Sequence, residues 1–204
     1  IDQPSTQLTV RAARTFSASG PGVERAIHFA KTWSNNHSID LDCHLEIVQL
    51  PPKHVGLGTG TQLGLSVAAA LNALYGMVPA RPRELAASVG RGKRSAVGTH
   101  GFFLGGLIVE RGKQMDEPLS PLDCQLSLPE DWRVVLIRPT DFCGLSGIAE
   151  QQAFSELPTI PPAVTETLTD ELRQNLLPAA AQGTFTAFSE SLFRYGQLAG
   201  SCFA

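Results

Sequence analysis

Apolar residues recur along this chain at two spacings, and each spacing predicts a different element. In residues 6–14, Leu8, Val10 and Ala12 alternate with Thr9, Arg11 and Ala13, which predicts a strand. Residues 17–22 form a turn-rich break, SASGPG. Residues 23–33 predict a helix with Val23, Ile27, Ala30 and Trp33 on one face and His28 and Lys31 toward solvent; residues 34–38 predict a loop. In residues 41–50, Cys43, Leu45 and Ile47 fall on one face of a strand, and His44, Glu46 and Val48 on the other. From about residue 61 to 75 the helical period returns at Leu63, Val67, Leu71 and Leu74, with Ala68, Ala69 and Ala70 favouring the state; Gly76 is placed to end it, and Pro79 follows. Residues 82–89 predict a short helix with Glu84 in its first turn, and residues 106–109 a strand. Residues 113–129 are polar and contain prolines. Residues 132–137, with Val134, Val135, Leu136 and Ile137, predict a buried strand. A helix starts at residues 148–154. Two more span residues 163–175 and 178–200, the last with Phe185, Phe188, Leu192 and Tyr195 on an apolar stripe. The order predicts an α+β fold with antiparallel sheet. It divides into residues 1–115, a connector at 116–130, and residues 131–204.

Composition adds limits. The 204 residues are 43% hydrophobic and 17% charged, enough for a real core. A net charge of −3 offers no basic face for nucleic acid. The longest apolar run, residues 65–74 with Asn72 inside it, is too short to span a bilayer, and no signal-peptide pattern opens the chain. Cys43, Cys124, Cys143 and Cys202 are far apart and lack zinc spacing; reduced thiols in a cytoplasmic protein are expected, a single disulfide being the alternative. The chain begins without methionine and stops inside an apolar pattern, as a central piece of a longer protein would.

Two stretches carry candidate chemistry. In the first, Gly56, Gly58, Thr59, Gly60, Thr61 and Gln62 lead into the alanine-rich helix. Glycines open the main chain to a ligand, and the unpaired N–H groups of a helix start attract phosphate. The plainer alternative is a tight turn with Thr59 or Thr61 as the helix N-cap. In the second, residues 90–106, Arg91, Lys93 and Arg94 lie among glycines and precede Ser95, Thr99 and His100. Guanidinium forks and ammonium groups suit phosphates and carboxylates; a solvated basic loop is the alternative. Arg138 is a further anion ligand by type. Asp141 and Glu150 are candidate Mg²⁺ ligands, or simply a loop acid and a first-turn helix acid.

The run Pro51, then Val55-Gly56-Leu57-Gly58-Thr59-Gly60-Thr61, resembles the phosphate loop of the GHMP kinase superfamily. Its Thr-Gly-Thr-Gln, where those kinases usually have Ser-Ser-Ala, is similar to one branch, the β-ribofuranosylaminobenzene 5′-phosphate synthase family of methanopterin biosynthesis. His54 to Leu63 match that branch, as do Arg94 to Thr99, Phe102 or Phe103, and Gly105-Gly106. The later Arg138-Pro139 and Gly144-Leu145-Ser146-Gly147 are also similar. The resemblance covers most of the chain. It implies a two-subdomain GHMP kinase-like fold: a ribosomal protein S5 domain 2-like N-terminal part, and a ferredoxin-like C-terminal part incomplete here. It also implies sequence beyond both ends.

The implied reaction condenses phosphoribosyl pyrophosphate with 4-aminobenzoate or 4-hydroxybenzoate, releasing CO₂ and pyrophosphate, with Mg²⁺ as cofactor. On that basis Gly56, Gly58, Thr59, Gly60, Thr61 and Gln62 hold phosphate. Arg91, Lys93 and Arg94 neutralise the leaving group or hold the benzoate. Ser95, Thr99 and Arg138 are further binding residues, and His100 handles the ring substituent's proton. Homodimerisation is left open. An ATP-dependent small-molecule kinase of the same superfamily is the second reading. Against it, no Asp or Glu lies between Arg91 and Leu107, and Gly98 stands about where many of those kinases carry an aspartate base. A non-catalytic anion-binding module is the third.

Overall fold

The computed structural model describes residues 3–53, 55–137 and 147–203, the side chains of 147–151 excepted. The chain divides into two compact units, residues 1–125 and 126–204. The division falls inside the stretch expected to be a connector.

The first unit is α+β. Strands β1 (Gln7–Ala12), β2 (Ser17–Ser19) and β3 (Cys43–Gln49) form a sheet in the order β1-β3-β2. β1 runs antiparallel to β3 and β2 parallel to it, so the sheet is mixed where an antiparallel one was expected. β2 occupies the serine-rich break, where three residues are too few to show a period. Its strand conformation is backed by side chains: Ser17 Oγ and Ser19 Oγ share hydrogen bonds with His44 Nδ1 and Nε2 at 2.8 and 3.2 Å. Helix α1 (Val23–His37) joins β2 to the parallel β3 and continues through residues expected to be loop. Its buried residues are Ala26, Phe29, Ala30 and Trp33, so the packing face is rotated from the Val23–Ile27 line expected. β3 buries Cys43, Leu45 and Ile47, as its alternation predicts.

Helix α2 (Thr59–Leu74) begins two residues earlier than expected, with Gly58 as N-cap in the left-handed region at φ 62°. It packs Leu63, Leu65, Val67, Ala68 and Leu71 into a core shared with α1 and β3. Inside that core, Trp33 Nε1–H donates to Asn72 Oδ1 at 2.8 Å. Gly76, at φ 65°, closes α2: the Met77 N–H bonds to the Asn72 carbonyl at 2.9 Å and Gly76 N–H to Ala73 at 3.3 Å, a Schellman arrangement. Helix α3 (Pro82–Ser88) starts on one half of a capping box: the Arg81 N–H donates to Glu84 Oε2 at 3.0 Å.

Helix α4 (Val97–Leu104) lies in the second glycine-rich stretch, to which the sequence pattern assigned no helix. Glycines at 98 and 101 hide its period, and its start is held from outside: the Ala96 N–H donates to Glu110 Oε2 at 2.5 Å. Strand β4 (Leu107–Glu110) follows and pairs with β5 (Leu122–Leu126), which lies in the supposed connector.

The second unit is helical among its described residues: α5 (Gly147–Glu156), α6 (Pro162–Asp170), a π-helical segment (Glu171–Leu176), α7 (Leu177–Gln182) and α8 (Phe185–Ser201). Residues 132–137 are not a strand, and their apolar side chains are exposed, Val135 by 79% and Ile137 by 91%. An apolar run becomes a strand where a neighbour supplies ladder partners, and none pairs with it among the described residues. The expected break near Pro178 is absent, and the helical path continues to Gln182. The π segment just before Pro178 widens the turn that the ring and missing N–H would otherwise disrupt. The break comes instead at Gly183, in the left-handed region at φ 67°. α8 buries Phe188 and Ser191, while Phe185 and Leu192 of the expected stripe are about half exposed.

Candidate functional site

The candidate site lies within the first unit, at the N-terminal end of α2. β3 delivers the chain to the glycine loop, where Gly56 and Gly58 both take left-handed backbone at φ 77° and 62°. At neither would an added Cβ meet an atom within 4 Å, so the glycines serve conformation and leave the approach open. Thr59 is the first helical residue. Its Oγ1–H donates to the Pro52 carbonyl at 3.0 Å, fastening the loop to the helix start. Gly60, Thr61 and Gln62 complete the first turn, with the Thr61 and Gln62 N–H groups bonded to the Gly58 carbonyl at 2.9 and 3.1 Å. The N-cap role that the alternative reading gave to Thr59 or Thr61 thus belongs to Gly58.

Arg91 reaches this turn from the far side. α3 ends in a second Schellman arrangement: Gly90 is left-handed at φ 68°, its N–H bonds to the Ala87 carbonyl at 3.0 Å, and the Arg91 N–H bonds to Ala86 at 2.8 Å. This ending aims Arg91 at α2, where its Nη2 donates to Thr61 Oγ1 at 2.9 Å. A second guanidinium comes from α1. A Cβ on Gly60 would lie 2.3 Å from Arg25 Nη2 and 3.9 Å from Arg91 Nη2, so the missing side chain at Gly60 is what admits Arg25. Arg25 carries no sequence signal, since a lone arginine in the first turn of a helix looks solvated.

Beside this cationic end is a cleft of about 670 Å³. Thr59, Gln62 and Ser66 line it from one face of α2, and Val97, Gly98, Gly101 and Phe102 from α4. Gly105-Gly106, Leu107 and Ile108 continue the wall, and Pro4, Ser5, Thr6, Pro51 and Leu57 complete the lining. Among the described residues, none of those lining it is ionisable. Gln62 Nε2–H donates to the Gly98 carbonyl at 3.0 Å and ties the two helices. A Cβ on Gly98 would come within 3.2 Å of Thr61 Cγ2, which shows how closely α4 approaches α2.

The other residues singled out from the sequence are placed as follows. Lys93, Arg94 and Ser95 are exposed and do not line the cleft. The Lys93 carbonyl accepts from Lys113 Nζ at 2.9 Å, and Ser95 Oγ accepts the Val97 N–H at 3.2 Å, helping to start α4. Thr99 and His100 are buried on the side of α4 away from the cleft. His100 Nε2–H donates to the Ser120 carbonyl at 2.9 Å; a carbonyl only accepts, so this nitrogen carries the proton. Arg138, Asp141 and the Glu150 side chain lie outside the described residues, as does His54. Among the described residues no three His, Cys, Asp or Glu side chains group to hold a metal, and no carboxylate lines the cleft.

The cysteines fall away from the site. Cys43, Cys124 and Cys202 are free thiols, and Cys143 lies outside the described residues. Burial under the sheet pushes the Cys43 thiol up, and burial likewise raises the Tyr75 phenol, which accepts the Asp42 N–H at 2.8 Å. No helix among the described residues is long and apolar enough to cross a membrane.

Comparison with known proteins agrees with this architecture. Residues 9–106 match the family model for the GHMP kinases N terminal domain. Three curated proteins named beta-ribofuranosylphenol 5′-phosphate synthase are similar to the chain. The Archaeoglobus fulgidus protein is 27% identical over the whole chain and 72% of its own length. Those of Methanothermobacter thermautotrophicus and Methanocaldococcus jannaschii are 33% and 26% identical, over 73% and 72% of this chain, which spans about half of each. Among solved structures, Streptococcus pneumoniae phosphomevalonate kinase superposes with a TM-score of 0.62 at 12% identity, covering 97% of this chain and 69% of its own. Homoserine kinase from Cytophaga hutchinsonii does so with a TM-score of 0.50 at 14% identity, covering 91% of this chain and 60% of its own. Identities this low speak for the fold alone. Residues 9–106 thus match the GHMP kinases N terminal domain model, and the chain is similar to proteins named beta-ribofuranosylphenol 5′-phosphate synthase.

Proposed function

We propose that this chain carries the donor-binding domain of a decarboxylating phosphoribosyltransferase of methanopterin biosynthesis, with phosphoribosyl pyrophosphate as donor and 4-hydroxybenzoate as acceptor. The observation that carries the proposal is the juxtaposition at α2: two guanidiniums over the helix start, and an uncharged cleft directly beside it. Phosphate belongs at the first, where N–H groups, helix dipole and cations coincide. A flat aromatic ring suits the second, whose walls combine glycine, aliphatic and phenyl residues with the uncharged polar residues Ser5, Thr6, Thr59, Gln62 and Ser66. The relatives' name specifies a ribofuranosylphenol, which favours the hydroxyl over the amino ring.

The reaction balances as follows. The bond from C1′ to pyrophosphate breaks, and the electron pair leaves with the pyrophosphate. The ring carbon bearing the carboxylate bonds to C1′. The C–CO₂ bond then breaks, and its electrons restore the aromatic ring. Arg91 and the first-turn N–H groups of α2 stabilise the departing charge, and the cleft holds the ring against C1′. No step is assigned to Mg²⁺. The kinase reading asks for a base near the acceptor, and among the described residues no carboxylate lines this cleft.

The test is release of labelled CO₂ from carboxyl-labelled 4-hydroxybenzoate, with Mg²⁺ and phosphoribosyl pyrophosphate supplied. Release that needs both substrates supports the proposal. Transfer from ATP to a small alcohol, without such release, overturns it.

A further inference from the structure

Arg25 and Arg91 come from different helices and meet over one residue. Their Nη2 atoms lie 2.3 and 3.9 Å from the position a Gly60 Cβ would take, so two like charges face each other across at most about 6 Å. Arg25 makes no side-chain hydrogen bond or ion pair among the described residues. The main chain prepares this position twice. Gly22, at φ 70°, caps α1, and a Cβ there would strike Leu50 Cδ2 at 2.5 Å, so the start of α1 is held close to the end of β3. Gly60 then leaves room for the guanidinium against α2. Holding an unpaired cation beside a second one is unfavourable unless an anion joins them.

We propose that Arg25 is a phosphate-binding residue which, with Arg91, clamps a diphosphate group at the Gly60 end of α2. The inference rests on the reading that phosphate occupies this end. It adds a residue and a selectivity: two forks favour a diphosphate, with charge on two phosphoryl groups, over a single phosphate. In the transfer reaction the clamp would neutralise the leaving group as it takes the electron pair.

The test is calorimetric titration of the chain with inorganic pyrophosphate and, separately, orthophosphate. The wild-type protein is expected to bind pyrophosphate more tightly. Arg25→Ala is expected to weaken pyrophosphate at least about tenfold while changing orthophosphate far less. Lys31→Ala removes an exposed charge from the same helix and should change neither. Gly60→Ala, whose Cβ would displace the same guanidinium, should reproduce the Arg25→Ala loss if that variant fails to fold. The clamp is overturned, with the phosphate site intact, if Arg91→Ala loses pyrophosphate but Arg25→Ala and Gly60→Ala do not. An equal loss in Lys31→Ala also overturns it. If the wild-type protein binds neither anion, the clamp and the phosphate reading fall together.

Discussion

Single residues in the first unit show where a glycine matters and where a polar group does. Gly20 sits at φ 98°, and a Cβ there would lie 2.0 Å from the Ile47 carbonyl oxygen, which is sheet backbone and cannot move aside. Gly20→Ala is therefore expected to abolish folding, seen as loss of the thermal transition. Gly58→Ala meets nothing within 4 Å and should cost only the left-handed penalty, about 1–2 kcal/mol, leaving a folded protein with a lower melting temperature. The two outcomes separate collision from conformation. Asn72 is the buried counterpart. Its Oδ1 accepts from Trp33 Nε1, and Asn72→Leu would leave that N–H unpaired in the core, at a cost of about 1–3 kcal/mol in denaturant unfolding. Neither partner could be paired from the sequence, where Asn72 interrupts an apolar run 39 residues away from Trp33. Arg25 was invisible for the same reason: its role depends on what Gly60 lacks, and no local pattern records that.

At the scale of elements, legibility followed the origin of each element's stability. The inner face of β3 could be read because alternation and burial coincide at Cys43, Leu45 and Ile47. α2 could be read because leucine and valine recur along an alanine-rich segment; only its start shifted, since glycine can serve as N-cap. α4 could not be read because its support is tertiary: Glu110 caps it from β4, and Gln62 bonds it from α2. Its loss should be conditional on those partners. Glu110→Ala is expected to unwind α4 locally, raising amide exchange at residues 97–101 with little change in the rest of the first unit. In the second unit the corresponding clasp is Glu171. Ser191 Oγ–H donates to Glu171 Oε1 at 2.6 Å, Arg194 donates to it at 3.0 and 3.1 Å, and Asn175 Nδ2–H donates to Oε2 at 3.0 Å. The Ser191 hydrogen bond first, and then Arg194, hold this carboxyl below its ordinary value. A depressed carboxyl contributes stability that is full above its unfolded value, about 4.3, and lost as pH falls through the lower folded one. Acid should therefore loosen α8 from the π segment below about pH 4. In Glu171→Gln the helical signal is expected to lose that pH dependence between pH 5 and 3. An unchanged acid profile would mean that other carboxylates dominate.

Over the whole chain, the two units differ in how much they bury. The core of the first unit runs from α1 through β3 and α2 to α3, with Trp33, Leu45, Ile47, Leu63, Leu65 and Leu71 almost fully enclosed. Among the described residues, the second unit buries only Leu176, Ala179, Ala180, Phe188 and Ser191 to a similar degree. The described residues of this 79-residue unit offer little apolar burial to offset its conformational entropy. Every described cleft-lining residue and both guanidiniums fall within residues 1–125. Expressed alone, residues 1–125 are thus expected to fold cooperatively and to bind inorganic pyrophosphate within about threefold of the whole chain, while residues 126–204 alone are expected to give no cooperative thermal transition. Circular dichroism melts and the pyrophosphate titration check both halves of this expectation. A folded 1–125 that has lost the anion would mean that the second unit supplies a binding group, and the site drawn here would then be too small. A folded 126–204 would mean that four buried apolar side chains and one polar clasp suffice, against the scaling of stability with burial on which the expectation rests.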